Sequence, residues 1–279
     1  MGNSGWKIGH DLVLIKIGYE LRFTVPAPTP MLLLLPTYPN VYFQTKPEQL
    51  IVDPATPYEL FYDSFGNRCT RLVAAPGPLT LGCDATVQVD GWPDPVNPNA
   101  IQHSLRDLPY ETLRFLLASR YCEVDKLTDF AWKTFGNGPT GYQRVVAVRE
   151  FVHQHIKFGY QFARQTKSAV DALDERQGVC RDFAHLTITL CRCLGIPARY
   201  ATGYLGDIGV PPDPAPMDFS AWVEVYLSNM WYTIDARHNH PRIGRVVMAY
   251  GRDAADAALT TSFGPTTLNQ FTVWTQEMN

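Results

Sequence analysis

The stretch G-V-C-R-D-F-A-H-L, residues 178–186, places a thiol where a helix begins. From Cys180 onward, Phe183, Leu186, Leu190 and Leu194 recur on one helical face, and Gly195 and Pro197 supply the stop. A cysteine in the first turn faces unpaired N–H groups and the positive end of the helix dipole, both of which favour thiolate over thiol. Arg181 adds a cation beside it. Such a thiol is suited to nucleophilic catalysis. A lone cysteine at a helix start is more often a small packing residue, so its meaning depends on the groups around it.

Two further stretches carry those groups. D-F-S-A-W-V-E-V-Y-L, residues 218–227, sets Ser220 at the mouth of a strand rich in β-branched and aromatic residues. W-Y-T-I-D-A-R-H-N, residues 231–239, ends its strand on Asp235. Taken alone, Ser220 is a strand-entry hydroxyl or a nucleophile without an adjacent base, and Asp235 is a turn cap or an orienting carboxylate. His185 follows Cys180 by five residues, about 140° around a helix, and so faces elsewhere. His238 and His240 follow Asp235 closely enough to fold back as a substitute base, although His238 also has a structural reading. His153 and His155, two apart on a helix, read as surface residues rather than metal ligands. Glu224 and Asp182 read as solvated or salt-bridged carboxylates.

The elements that position these residues follow from the pattern. The first hundred residues hold short alternating runs between proline-rich separators: Tyr19–Val25, Val41–Gln44, Tyr58–Tyr62, Arg71–Ala74 and Ala85–Val89. Many short strands at this spacing suggest an antiparallel sandwich. G-W-P-D-P-V-N-P-N, residues 91–99, reads as a linker. Residues 108–117 and 141–157 carry helical spacing, the second through Val145, Val148, Val152 and Ile156. Strands return after Leu194. The expected layout is α+β: a β-rich N-terminal domain over residues 1–105, then helices packed on an antiparallel sheet over residues 106–279.

These blocks, with C-L-G-I-P-A-R-Y-A-T-G-Y-L (193–205) and R-I-G-R-V-V-M-A-Y-G-R-D-A-A-D-A-A (242–258), resemble the transglutaminase-like superfamily, in particular its bacterial cysteine protease-like branch. The resemblance covers most of residues 145–265 and the blocks fall in the family's order. It implies a papain-like core with a Cys-His-Asp triad on peptide or glutamine amides, preceded by an N-terminal β-sandwich-like domain. Carried over residue by residue, Cys180 matches the nucleophile and Asp235 the residue that orients the imidazole. The family's histidine belongs immediately before A-W-V-E, where this chain has Ser220.

A serine hydroxyl is too weak a base to take the thiol proton and carries no charge to hold a thiolate. Losing a general acid–base costs roughly 10²–10⁴ in rate. The expectation is therefore an acyltransferase or protease scaffold with a degenerate triad, impaired or inactive, retaining a peptide-binding cleft lined by Trp222 and Tyr160. The alternative is an active cysteine protease, amidase or transglutaminase using a substitute base such as His238.

Composition excludes other classes. A formal net charge of −3 gives no electrostatic reason to expect nucleic acid or an anionic membrane as a partner. The longest apolar run, Met31–Leu35, is too short to span a bilayer. The opening M-G-N-S-G-W-K-I-G-H lacks a signal-peptide h-region, and Trp6 breaks the myristoylation pattern. A cytoplasmic location is expected, with the six cysteines reduced. No C-x-x-C pair and no D-x-D-x-D-G loop occurs, so no cofactor or metal is expected.

Overall fold

The computed structural model describes residues 12–39 and 41–278. The opening decapeptide read above for targeting signals lies outside them. The strands of the first part are β1 (Val13–Val25), β2 (Thr29–Leu33), β3 (Phe43–Lys46), β4 (Ile51–Asp53), β5 (Tyr58–Tyr62), β6 (Arg68–Ala74) and β7 (Gly77–Val89). The helices α1 (Tyr110–Leu113), α2 (Val124–Phe135) and α3 (Gly141–His155) follow. Next come β8 (Lys157–Phe158), α4 (Ala169–Glu175), β9 (Gln177–Gly178) and α5 (Cys180–Cys193). The last part is β10 (Ala198–Leu205), β11 (Ser220–Leu227), β12 (Met230–Ile234), β13 (Arg245–Gly251), β14 (Thr260–Ser262) and β15 (Thr267–Met278). The expected α+β class is the observed one.

Among the described residues, the sandwich pairs two antiparallel sheets. One runs β15-β1-β7-β3 with β4 also on β7, and the other runs β14-β2-β6-β5. Alternation explains it: Ile15, Ile17, Tyr19 and Leu21 point inward along β1 and meet Met31, Leu33 and Leu72 of the second sheet in one core. Strand β15 pairs with β1 over its length, from Leu14↔Met278 to Thr24↔Thr267. The sandwich therefore takes strands from both ends of the described chain. Its core continues into Tyr204, Phe219, Val246 and Met248, which join it to the sheet that follows the helices.

That sheet runs β12-β11-β10-β13, antiparallel throughout. Helix α5 lies against it, and Phe183, Leu186 and Leu190 share a core with Ala221, Val223, Val225 and Leu227 of β11. Almost every residue of α5 is buried, which makes it the central helix. It ends where Gly195 takes φ +75°, a conformation that favours glycine.

Three sequence expectations are corrected. The pattern at 108–117 gives only the short α1 and a 3₁₀ turn over Arg114–Leu116, because Pro109 and the extended Leu117 bracket it. The segment 91–99 is no free linker: Asp94 accepts from Arg245 Nε at 2.9–3.0 Å and from the Arg242 N–H at 2.9 Å. His153 and His155 are half-buried and bond the Ala236 and Leu173 carbonyls at 2.9 and 2.6 Å, so neither is a free surface residue.

Candidate active site

Cys180 opens α5, Ser220 opens β11 and Asp235 follows β12, as the sequence suggested. The first turn of α5 is fixed by Asp182, whose Oδ2 reaches back to accept from the Val179 N–H at 2.9 Å. Gly178 makes room for this: a Cβ there would sit 2.6 Å from Asp182 Oδ2. The parallel pairing of Phe158 with Gly178 brings Tyr160 close to Cys180. Across the site, β10 and β11 align Gly203 with Ser220 and Ala201 with Trp222.

The thiol is not poised. Burial pushes the Cys180 thiol up to about 11, and the negative charge of Asp218 pushes the same way. Arg237 and the N–H groups of Ala221 and Arg181 pull down without compensating. Burial and Asp218 thus oppose the effect of the helix start on this thiol. Asp218 carries no motif signal in the sequence. It lies two residues before Ser220, and burial raises its own carboxyl, with Arg237 opposing.

Ser220 is 4% exposed and its Oγ has no hydrogen-bond partner. The six described histidines all bond elsewhere. His238 Nδ1 pairs with Asp235 Oδ2 at 2.8 Å, and His240 Nδ1 with the His238 carbonyl at 2.7 Å. His185 Nε2 accepts from the Ala254 N–H at 3.1 Å, and His103 Nε2 from the Asn229 N–H at 3.1 Å. His153 and His155 hold the carbonyls named above. None of these bonds reaches Cys180.

Asp235 is committed. Its Oδ1 accepts from the N–H groups of Arg237 and His238 at 3.0 and 3.1 Å, and its Oδ2 from His238 and from Arg245 at 2.9 Å. Burial would raise its carboxyl, but Arg245 and His238 outweigh burial and hold it well below the ordinary carboxylate range. Arg245 in turn lies 4.9 Å over the Trp222 ring. Trp222 is 1% exposed and so lines no cleft, which corrects that expectation; Tyr160, 44% exposed, does border a cavity at Ser220. Glu224 is salt-bridged, to Arg199 at 2.5 Å, and also accepts from the Tyr250 hydroxyl at 3.1 Å. No group of three or more His, Cys, Asp or Glu among the described residues is placed to hold a metal ion. No described helix is long and apolar enough to cross a membrane.

Comparison with known proteins supports the family resemblance. Residues 128–236 match the transglutaminase-like superfamily. An uncharacterized protein of Mycobacterium leprae (strain TN) is 33% identical over 93 residues, and the match spans 33% of each protein. A crystal structure from Cytophaga hutchinsonii, described as a candidate cysteine protease, is 33% identical. It superposes with a TM-score of 0.87 over 97% of this chain and 92% of that one. Identity at this level, sustained along nearly the whole of both chains, is kinship rather than shared architecture: the chain belongs to the transglutaminase-like superfamily.

Proposed function

We propose that this protein is a thiol acyltransferase or protease scaffold whose triad is degenerate at Ser220, so that amide acyl transfer is impaired or lost. On this reading it acts as a peptide- or protein-binding pseudoenzyme in the cytoplasm. One observation carries the reading: the Cys180 thiol is pushed up to about 11 and no described histidine bonds to it. At pH 7 only about one thiol in 10⁴ is then ionised. Ser220 offers no proton acceptor to change that.

A second reading is favoured by one bond. His238 Nδ1 is held by Asp235, the orientation a general base requires, and His238 borders the same cavity as Ser220. In that case the chain is an active cysteine protease, amidase or transglutaminase with His238 as substitute base.

Ser220→His decides between them. Peptide-amide cleavage and amine incorporation are assayed in wild type and variant. The pseudoenzyme reading expects negligible wild-type turnover and a gain of at least 10²-fold. Wild-type turnover that His238→Gln abolishes would establish the second reading instead.

A further inference from the structure

A cavity of about 440 Å³ opens beside α3 and shares no lining residue with the cavity at Ser220. Its volume falls within the roughly 300–1,000 Å³ of ordinary small-molecule sites. Helix α3 supplies one wall through Tyr142, Val146 and Arg149, spaced four and three residues apart and so on one face. Val96 and Pro98 form a second wall, and Asn239, His240 and Pro241 a third.

Each wall is anchored, so the site is preformed. Arg245 and the Arg242 N–H hold Asp94 in the 91–99 segment. The Tyr142 N–H donates to the Ala100 carbonyl at 2.9 Å, and the Asn239 N–H to the Asp235 carbonyl at 2.9 Å.

Its chemistry is lopsided. Val96, Pro98, Val146 and Pro241 offer apolar surface, with buried Tyr142 beneath them. Among the described residues, no aspartate or glutamate lines it. Arg149 is the permanent cation of the walls, and His240 adds charge only when protonated. The Arg149 side chain is 16% exposed, yet it makes no hydrogen bond to any described residue. Its Nε is shut off from solvent; Nη1 and Nη2 are not. By contrast Arg144, Arg192 and Arg242 each donate to carbonyls, and Arg245 to carboxylates. The ion-pair partner of Arg149 is Glu150, 52% exposed at 3.7 Å, a surface pair of little strength. Asp94, whose charge reaches Tyr142, is already taken up by Arg245. A largely buried guanidinium beside apolar surface is thus left without a matched anion.

The geometry points to a binding site for a carboxylate joined to a small apolar body. One carboxylate matches one guanidinium in charge and accepts from its two outer nitrogens. The apolar body covers the valine and proline surface and removes it from water. A dianion such as phosphate would bring a second charge that no permanent cation of the walls meets. None of this depends on whether Cys180 is active.

The full chain is titrated by calorimetry with 3-phenylpropanoate, its amide, acetate and inorganic phosphate. One saturable site is expected for 3-phenylpropanoate, with the other three each at least tenfold weaker. Arg149→Gln is expected to remove the preference for the acid over its amide. Gln143→Glu adds a like charge at an exposed position lining the same cavity. It is expected to weaken the acid about fivefold and leave the amide unchanged, which keeps the test decisive should Arg149→Gln fail to fold. An acetylated Gly-Gly-Phe acid that binds more tightly than 3-phenylpropanoate assigns the carboxylate to a peptide terminus; the reverse order assigns it to a free acid. Absence of saturable binding overturns the inference. So does an amide, acetate or phosphate that binds as tightly as the acid, or an acid affinity unmoved by both variants.

Discussion

Arg245 and His238 share one oxygen of Asp235, at 2.9 and 2.8 Å. Arg245 is itself held by Asp94, so the carboxylate that would orient a triad imidazole is instead the middle of a buried charge network. Arg245, Asp235 and Asp94 have side chains only 7%, 3% and 11% exposed. Removing the single cation leaves two carboxylates buried. Arg245→Met is expected to cost about 3–5 kcal/mol, measured by urea unfolding; a loss under about 1 kcal/mol would show that the network carries little stability.

The raised Cys180 thiol has a pH signature. Alkylation is expected to rise about tenfold per pH unit from pH 7 towards 10, without a plateau near neutrality, because the thiol titrates at about 11. Stopped-time labelling across that range checks it. A plateau reached below pH 8 would contradict the account of burial and Asp218.

His185 predicts acid sensitivity of the fold. Burial first, then Arg181 and Arg192, push its pKa well below the ordinary histidine value. Its ring stacks on Tyr121 at 4.9 Å. The unfolded chain therefore binds a proton, near pH 6.5, that the folded chain refuses. Stability is full above that pH and falls as pH drops below it, by up to about 1.4 kcal/mol per unit. His185→Phe should flatten this slope in unfolding curves between pH 6.5 and 5, and an unchanged slope would assign it to other groups.

Gly178 tests how the thiol's helix is seated. A methyl there would approach Asp182 Oδ2 at 2.6 Å and Asp182 Cβ at 2.7 Å. Gly178→Ala should cost about 1–3 kcal/mol, read as a lowered Tm. An unchanged Tm would mean that the turn before Cys180 yields without loss.

Much of the fold was legible because it is written locally. The run Tyr58–Tyr62, where the sequence predicts a strand, is β5 to the residue, and the spacing of Val145, Val148 and Val152 predicts α3. Helix α2 has no counterpart among the elements the sequence predicts above. Its apolar stripe, Val124, Leu127, Phe130, Ala131 and Phe135, does recur at helical spacing and packs on the same core as α3. Cys180, Ser220 and Asp235 sit on the elements the sequence assigned, since each marks an element end with its own signal. The partners of the site were not legible. Asp94 meets Arg245, and Asp218 acts on Cys180, only once distant segments pack. No periodicity encodes which buried arginine meets which carboxylate.

The pairing of β15 with β1 also sets an order of events in synthesis. Strand β1 is made long before its neighbour on one side, which runs from Thr267 to Met278, with the helices and the second sheet synthesised in between. Until then one edge of β1 presents unpaired backbone groups, the kind of edge that recruits foreign strands. Contacts of such sequence separation also form slowly. The β15 edge of the sandwich can close only after the thiol-bearing half has been made, so the nascent chain carries an open, aggregation-prone edge while residues 26–266 are synthesised.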